Sequence, residues 1–191
     1  LRISRITDGS SMKLMIRMHY ENCLLETISG EDFNMIYPIH LDPFIPVRSE
    51  QIYPVRAATR YAVEENWREH NFFSLLSKPT TMIDSNTGFL LGELMYLAHI
   101  GYGGCGLGSE ATDKLVELVR EEKANGLLGA KITGGGAGGT VAILGWNTPD
   151  SEKAFKRVLD RYAAWSKIVP YVFSGSSPGR DKFGVLRVSY P

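Results

Sequence analysis

The chain has 191 residues, enough for one domain or a large piece of one with a sizeable core. Its 21 basic and 21 acidic residues give a formal net charge of zero, so no basic footprint indicates nucleic acid. Two cysteines, Cys23 and Cys105, are too few for a disulfide framework and favour a reducing compartment, which we expect to be the cytoplasm. Neither a membrane-spanning run nor a signal peptide is evident, and because the chain begins at Leu1 we interpret it as part of a longer polypeptide.

The first part of the chain predicts one short helix and a proline-rich connection. Residues 12–18 fit a strand or a helix equally well. Ser29, with Asp32 three residues later, predicts a helix start, and the helix continues through Tyr37. Three prolines then interrupt regular structure, so residues 38–55 are expected to form a loop.

Residues 57–76 lack proline and carry an apolar stripe, which predicts a long helix. The middle of this helix, residues 64–71, is polar. We interpret it as a solvated face stabilised by pairs such as Glu64–Arg68 rather than as the source of a catalytic carboxylate.

Thr87 can cap a second helix over residues 89–99, whose almost wholly apolar sequence makes it central to the fold. His99 falls near the end of this helix. Its imidazole could interact with the helix dipole or contact a substrate, and we favour the dipole.

A first glycine-rich loop, residues 103–109, precedes another predicted helix. Ala111, Leu115 and Val119 mark the buried face of that helix, which stops at residues 125–126, Asn-Gly. A glycine loop at a helix N-terminus can hold phosphate, because unpaired N–H groups point outward there.

A second glycine run, GGGAGG at residues 134–139, lies between two predicted strands, residues 127–133 and 140–144. Gly134, Gly136 and Gly139 formally satisfy the dinucleotide pattern G-x-G-x-x-G. That pattern needs a helix after the third glycine, whereas a strand follows here. The run is therefore either a hairpin connection crowded by a neighbouring helix or a loop whose backbone approaches a ligand.

After this hairpin, Thr148 and Pro149 predict the start of a helix with an apolar stripe. Residues 168–173 and 183–188 are predicted strands, with a turn region over residues 174–181. The second half of the chain thus predicts two helices over one face of a largely antiparallel sheet, an α+β sandwich.

Several segments resemble one kinase family. Residues 129–144, GAKITGGGAGGTVAIL, look like the third motif of the GHMP kinases, the relatives of galactokinase, homoserine kinase, mevalonate kinase and phosphomevalonate kinase. Residues 102–116 and 174–184 resemble the L-arabinokinase branch, close to galactokinase, and residues 65–68, ENWR, resemble its E-N-x-R helix. The resemblance covers about residues 26–188.

Residues 106–111, GLGSEA, partly imitate the ATP loop of this family, P-x-x-x-G-L-x-S-S-A. Tyr102 replaces the proline, and Glu110 replaces the second serine. An acidic side chain at that position would repel phosphate, so we favour a structural role for this loop.

The resemblance implies that residues 1–191 belong to a GHMP kinase C-terminal domain. Residues 1–100 would supply a loop and added helices. Residues 101–191 would form the core, a ferredoxin-like two-layer α+β sandwich with an antiparallel sheet and helices on one face.

By the same resemblance, the whole enzyme transfers the γ-phosphoryl group of ATP, with Mg²⁺, to a monosaccharide hydroxyl such as that of L-arabinose or galactose. The family's main ATP loop and catalytic acid lie in the N-terminal half, so we expect no catalytic residue and no metal ligand in this chain. Its partners would be its own N-terminal kinase domain, the sugar and possible second copies. Five glycines would lie beside the ATP phosphates: Gly134, Gly135, Gly136, Gly138 and Gly139.

A different class of function stays open, a non-catalytic degenerate kinase domain used for ligand sensing or subunit association. Tyr61 stands where relatives carry a histidine, and Leu97 stands where a glutamine is common. Under either hypothesis, we expect the isolated chain not to phosphorylate sugars.

Overall fold

A computed structural model describes residues 22–39, 45–175 and 182. In chain order its elements are β1 (Ile28–Ser29), α1 (Gly30–Ile36), β2 (Ile52–Tyr53), α2 (Val55–Leu76), α3 (Ser85–Gly104), α4 (Glu110–Glu121), β3 (Leu127–Thr133), β4 (Thr140–Gly145) and α5 (Pro149–Ser166), with 3₁₀ turns at Thr80–Met82 and Lys123–Asn125. Helices pack on an antiparallel pair of strands, which confirms the predicted α+β class. Within the described ranges, no helix is long and apolar enough to cross a membrane.

The helix start predicted at Ser29 is confirmed, because the Ser29 hydroxyl accepts the Asp32 N–H at 3.0 Å. The predicted loop over residues 38–55 is wrong at one point: β2 pairs antiparallel with β1 there. Each of these strands has two residues, too few to show the alternation that identifies a strand in sequence. Residues 12–18 lie outside the described part of the chain.

Helix α3 differs from its prediction at both ends. The Asp84 carboxylate, rather than Thr87, caps the helix by accepting the Thr87 N–H at 2.8 Å. The helix also continues five residues past His99, although three of those residues are glycine. Tertiary packing explains part of this extension, since a Cβ on Gly101 would lie 2.9 Å from the ring of Tyr61.

The β3–β4 hairpin is confirmed, with Ile132 opposite Val141 and an irregularity near Gly129. Helices α4 and α5 pack together against this hairpin. The buried core comprises Tyr96, Val116, Leu118, Val119, Leu127, Ala130, Ala154 and Val158.

Helix α3 packs on β3 through two glycines. A Cβ on Gly129 would lie 2.5 Å from the Cα of Gly92, and a Cβ on Gly92 would lie 2.0 Å from the carbonyl oxygen of Leu128. Only glycine permits backbones to approach this closely, so the pair sets the distance between helix and strand.

The strand predicted over residues 168–173 is wrong, since the described chain has no regular structure from residue 169 to residue 175. Pro170 offers no N–H to a strand ladder, which outweighs the β-branched and aromatic residues around it. The strand predicted over residues 183–188 and most of the turn region before it lie outside the described residues.

Candidate functional site: the glycine loop between β3 and β4

The predicted glycines form one loop, residues 134–139, at the end of the β3–β4 hairpin. Four of the five candidate glycines have a positive φ: 88° for Gly134, 86° for Gly136, 121° for Gly138 and 97° for Gly139. Side chains other than hydrogen are strained in that region, so the glycine content follows from the shape of the loop. Gly135 has no positive φ, and its backbone would accept other residues.

One side of this loop is held by the end of α3 and by the segment that links α3 to α4. The Ala137 N–H donates to the Leu107 carbonyl oxygen at 2.8 Å, and the Tyr102 hydroxyl donates to the carbonyl oxygen of Gly134. A Cβ on Gly136 would lie 2.8 Å from Leu107 Cβ. The loop is therefore packed closely against Tyr102 and Leu107.

The other side of the loop is open. Apart from the chain neighbours, no described atom lies within 4 Å of a Cβ built on any of four candidate glycines. These are Gly134, Gly135, Gly138 and Gly139. On this side, no side chain of the described residues therefore separates a ligand from the loop backbone.

The polar middle of α2 is only in part the solvated face predicted from sequence. Asn66, Glu69 and His70 are exposed, but Glu65 is half-buried and Arg68 is buried. Lys131 Nζ on β3 lies 2.7 Å from Glu65 Oε1, and Arg68 Nε lies 2.7 Å from Glu65 Oε2. The predicted Glu64–Arg68 pair is confirmed at 3.1 Å, but Arg68 is only 6% exposed. The sequence pattern placed these residues on one face of α2 correctly, but it did not show that α3 packs there or that Lys131 of β3 pairs with Glu65.

Glu65 is ionised in this network. Burial raises its pKa, but hydrogen bonds from Lys131 and Arg68 and the charges of both cations outweigh burial and hold the pKa below its usual value. The charged carboxylate ties α2 to the strand that leads directly into the glycine loop.

Tyr61 links Arg68 to Tyr102. The Arg68 guanidinium lies 5.8 Å from the centre of the Tyr61 ring, and the rings of Tyr61 and Tyr102 meet edge to face at 5.3 Å. Burial, followed by the nearby charge of Glu65, raises the pKa of Tyr61 to about 12, so its hydroxyl stays protonated.

His99 joins three elements. Its Nδ1 accepts the Ile132 N–H of β3 at 3.2 Å, and its Nε2 lies 3.1 Å from Asp113 Oδ1 of α4. Burial lowers the pKa of His99 although Asp113 opposes this effect, and a neutral ring protonated at Nε2 satisfies both contacts. The helix-dipole role is wrong, because α3 ends at Gly104 and such effects fall off beyond the last turn.

The first glycine-rich segment, residues 103–109, has a structural role, because it ends α3 and begins α4. Two of its glycines finish α3, and the Ser109 hydroxyl caps α4 by accepting the Thr112 N–H at 3.3 Å. The Leu107 carbonyl oxygen of this segment accepts the Ala137 N–H of the second glycine loop.

A groove of about 1050 Å³ runs between α5, α4 and β4, and Gly139 and Thr140 form one part of its lining. Most of its lining is apolar, for example Val141, Phe155 and Leu159. The groove also has polar lining residues, among them Thr112, Ser151 and Glu152. We place the candidate site at the glycine loop, because bare backbone there allows a ligand to approach closely.

Both cysteines, Cys23 and Cys105, are free thiols. In the part of the chain that the structure describes, no group of three or more His, Cys, Asp or Glu side chains could hold a metal ion.

Sequence reasoning found the glycine loop but missed the groups that hold it, the Tyr102 hydroxyl and the Leu107 carbonyl. It also missed the Lys131–Glu65 pair on the strand that leads into the loop. The signal for Lys131 was present: it is the one charged residue in β3, an otherwise apolar strand. A charge at that position indicates a partner on the element that covers the strand.

Residues 87–164, which include this loop, match the family described as GHMP kinases C terminal. Residues 87–164 are therefore similar to the C-terminal domain of the GHMP kinases. Over 176 residues, 88% of its length, the chain is 39% identical to the L-arabinokinase of Arabidopsis thaliana. The chain spans 17% of the length of that relative.

Proposed function

We propose that this chain is the C-terminal part of an ATP-dependent sugar kinase, in which residues 134–139 lie beside the phosphates of ATP. The observation that carries the proposal is the open side of the loop, where four glycines present bare backbone. The similarity to an L-arabinokinase supports a monosaccharide acceptor, L-arabinose or a galactose-like sugar.

The loop would act by position and by its dipoles. Without a Cβ, the backbone allows a phosphate group to approach the amide N–H groups, whose partial positive charge stabilises its oxygens. Contacts with Tyr102 and Leu107 fix the loop beforehand, so little ordering is needed when the nucleotide binds. Mg²⁺ supplies neutralisation of phosphate charge when it is bound.

The main ATP loop and the catalytic acid would come from an N-terminal kinase domain. Leu90, Leu97 and Ile100 recur at helical spacing on α3 and are 42%, 48% and 62% exposed. An exposed apolar stripe of this kind is suited to contact with another domain. Use of ATP and two free thiols fit a location in the cytoplasm.

Hydrogen exchange in the full-length product of the gene tests the proposal. Saturating ATP with Mg²⁺ should slow amide exchange in peptides covering residues 134–139, and peptides from α1 should serve as the unaffected control. A coupled assay of ADP release with L-arabinose and with galactose then identifies the acceptor. Unchanged exchange at the loop with ATP present would contradict the proposal and favour a sensing or subunit-association domain.

A further inference from the structure

We propose that Tyr102 is a positioning residue for ATP: it holds the Gly134 carbonyl and thereby directs the Gly135 N–H to a phosphate oxygen. This inference rests on the proposed function, because it names the donor through which the glycine loop would contact ATP. Three residues of α2 support Tyr102 and the strand that leads into the loop: Tyr61, Glu65 and Arg68.

The first step concerns a single peptide group. The Tyr102 hydroxyl donates to the carbonyl oxygen of Gly134, and that carbonyl shares its peptide plane with the Gly135 N–H. The described peptide bonds are all trans, so this C=O and N–H point in opposite directions. The Gly135 N–H therefore points away from Tyr102.

The second step concerns what surrounds Gly135. Apart from its chain neighbours, no described atom lies within 4 Å of a Cβ built on it. By contrast, the Ala137 N–H is already bonded to Leu107. Among the described backbone hydrogen bonds, the Gly135 N–H has no acceptor. The amide thus combines a fixed direction with an unused donor, which are the two properties that an anion site needs.

The third step concerns how Tyr102 keeps its place near the end of α3. The Tyr102 ring packs edge to face on the Tyr61 ring. The Arg68 guanidinium in turn lies over the Tyr61 ring. Arg68 is buried and shares Glu65 with Lys131, which lies three residues before Gly134. The same part of α2 thus supports the tyrosine that holds the loop and the strand that leads into it.

Tyr102→Phe tests the inference in the full-length product, since it removes the hydroxyl and keeps the ring on Tyr61. Tyr37→Phe is the matched control, because Tyr37 is 54% exposed and lies at the C-terminal end of α1, outside the candidate site. We expect exchange at residues 134–139 without nucleotide to quicken about fivefold in Tyr102→Phe, the effect of losing one hydrogen bond. The KM for ATP should rise by a similar factor while the KM for the sugar is unchanged.

The outcomes separate two failures. If ATP protects the wild-type loop but Tyr102→Phe matches Tyr37→Phe in loop exchange and in the KM for ATP, the role of Tyr102 is overturned and the proposed function stands. If ATP leaves the wild-type loop unprotected, the proposed function is overturned, and the role of Tyr102 in ATP binding with it. Equal increases in the KM for ATP and for the sugar would indicate general structural damage and would also overturn the inference.

Discussion

At the scale of single residues, His99 shows how one side chain can join a helix to a strand. Its Nδ1 must be unprotonated to accept the Ile132 N–H, while its Nε2 donates to Asp113. Protonation of the ring would therefore break the bond to β3. Burial is the main reason that the pKa of His99 in the folded chain lies below its ordinary value.

This lowered pKa predicts acid sensitivity. The unfolded chain binds the proton more strongly, at the ordinary pKa of about 6.5, so the contribution of His99 to stability is fully present above that pH. The contribution is lost as the pH falls from there through the folded pKa. We expect the melting temperature to fall by a few degrees between neutral pH and mildly acidic pH.

Thermal melts across that range check this prediction with two variants. His99→Gln cannot titrate, so its melting temperature should depend less on pH than that of the wild type. His70→Gln is the control, because His70 is exposed and bonds only within α2 among the contacts described. Equal pH dependence in the wild type and His99→Gln would contradict the assigned role.

The role of a single residue could be predicted from the sequence where that role depends on the residue itself and not on distant contacts. The glycine run was recognisable because glycine itself allows positive φ values and leaves the backbone without a side chain. Arg68 was misjudged because α3, which packs against it at Gly101, lies far away in sequence. A polar face on a helix shows charge pairs, but it does not show what packs over them.

At the scale of elements, the contact between α3 and β3 fixes where the glycine loop begins. Gly92 and Gly129 allow the helix to lie against the strand backbone. Helix α3 then carries both Tyr102 and His99 to the β3 end that enters the loop. A change in the helix–strand distance would therefore reach the candidate site.

Gly92→Ala should destabilise the chain by about 1–3 kcal/mol, because its Cβ would meet the Leu128 carbonyl and the well-packed contact cannot expand freely. Gly103→Ala in the same helix is the control. No described atom beyond its neighbours lies within 4 Å of a Cβ there, and alanine should raise stability by about 0.5–1 kcal/mol through helix propensity. Denaturant unfolding measures both, and equal stabilities would contradict the close-contact account.

The longer elements could be predicted and the shorter ones could not. Helices α2, α4 and α5 and the β3–β4 hairpin have clear periodicity or caps, and the structure has them where expected. The β1–β2 pair was missed because two residues carry no period. The end of α3 was missed because glycine disfavours a helix locally, although packing on Tyr61 permits it.

At the scale of the whole molecule, the proposed function makes this chain one wall of a site rather than a complete one. We expect the isolated 191-residue chain not to transfer phosphate from ATP to L-arabinose or galactose, because the expected catalytic acid and main ATP loop belong to another domain. A coupled assay of ADP release checks this prediction. Sugar-dependent turnover by the isolated chain would contradict it.

The central claim is that ATP approaches the open side of the glycine loop, and Gly135 gives the most direct test. Its φ is not positive and its surroundings are open, so alanine should leave the melting temperature of the full-length kinase unchanged or slightly higher. Gly136→Ala is the contrasting variant, because a positive φ and the contact with Leu107 predict loss of stability together with activity.

Turnover of Gly135→Ala in the full-length kinase is therefore the decisive measurement. A methyl group on the open side would displace the phosphates, and we predict a loss of about 100-fold in kcat at an undiminished melting temperature. Wild-type turnover by a folded Gly135→Ala variant would contradict the account and leave the loop a hairpin connection.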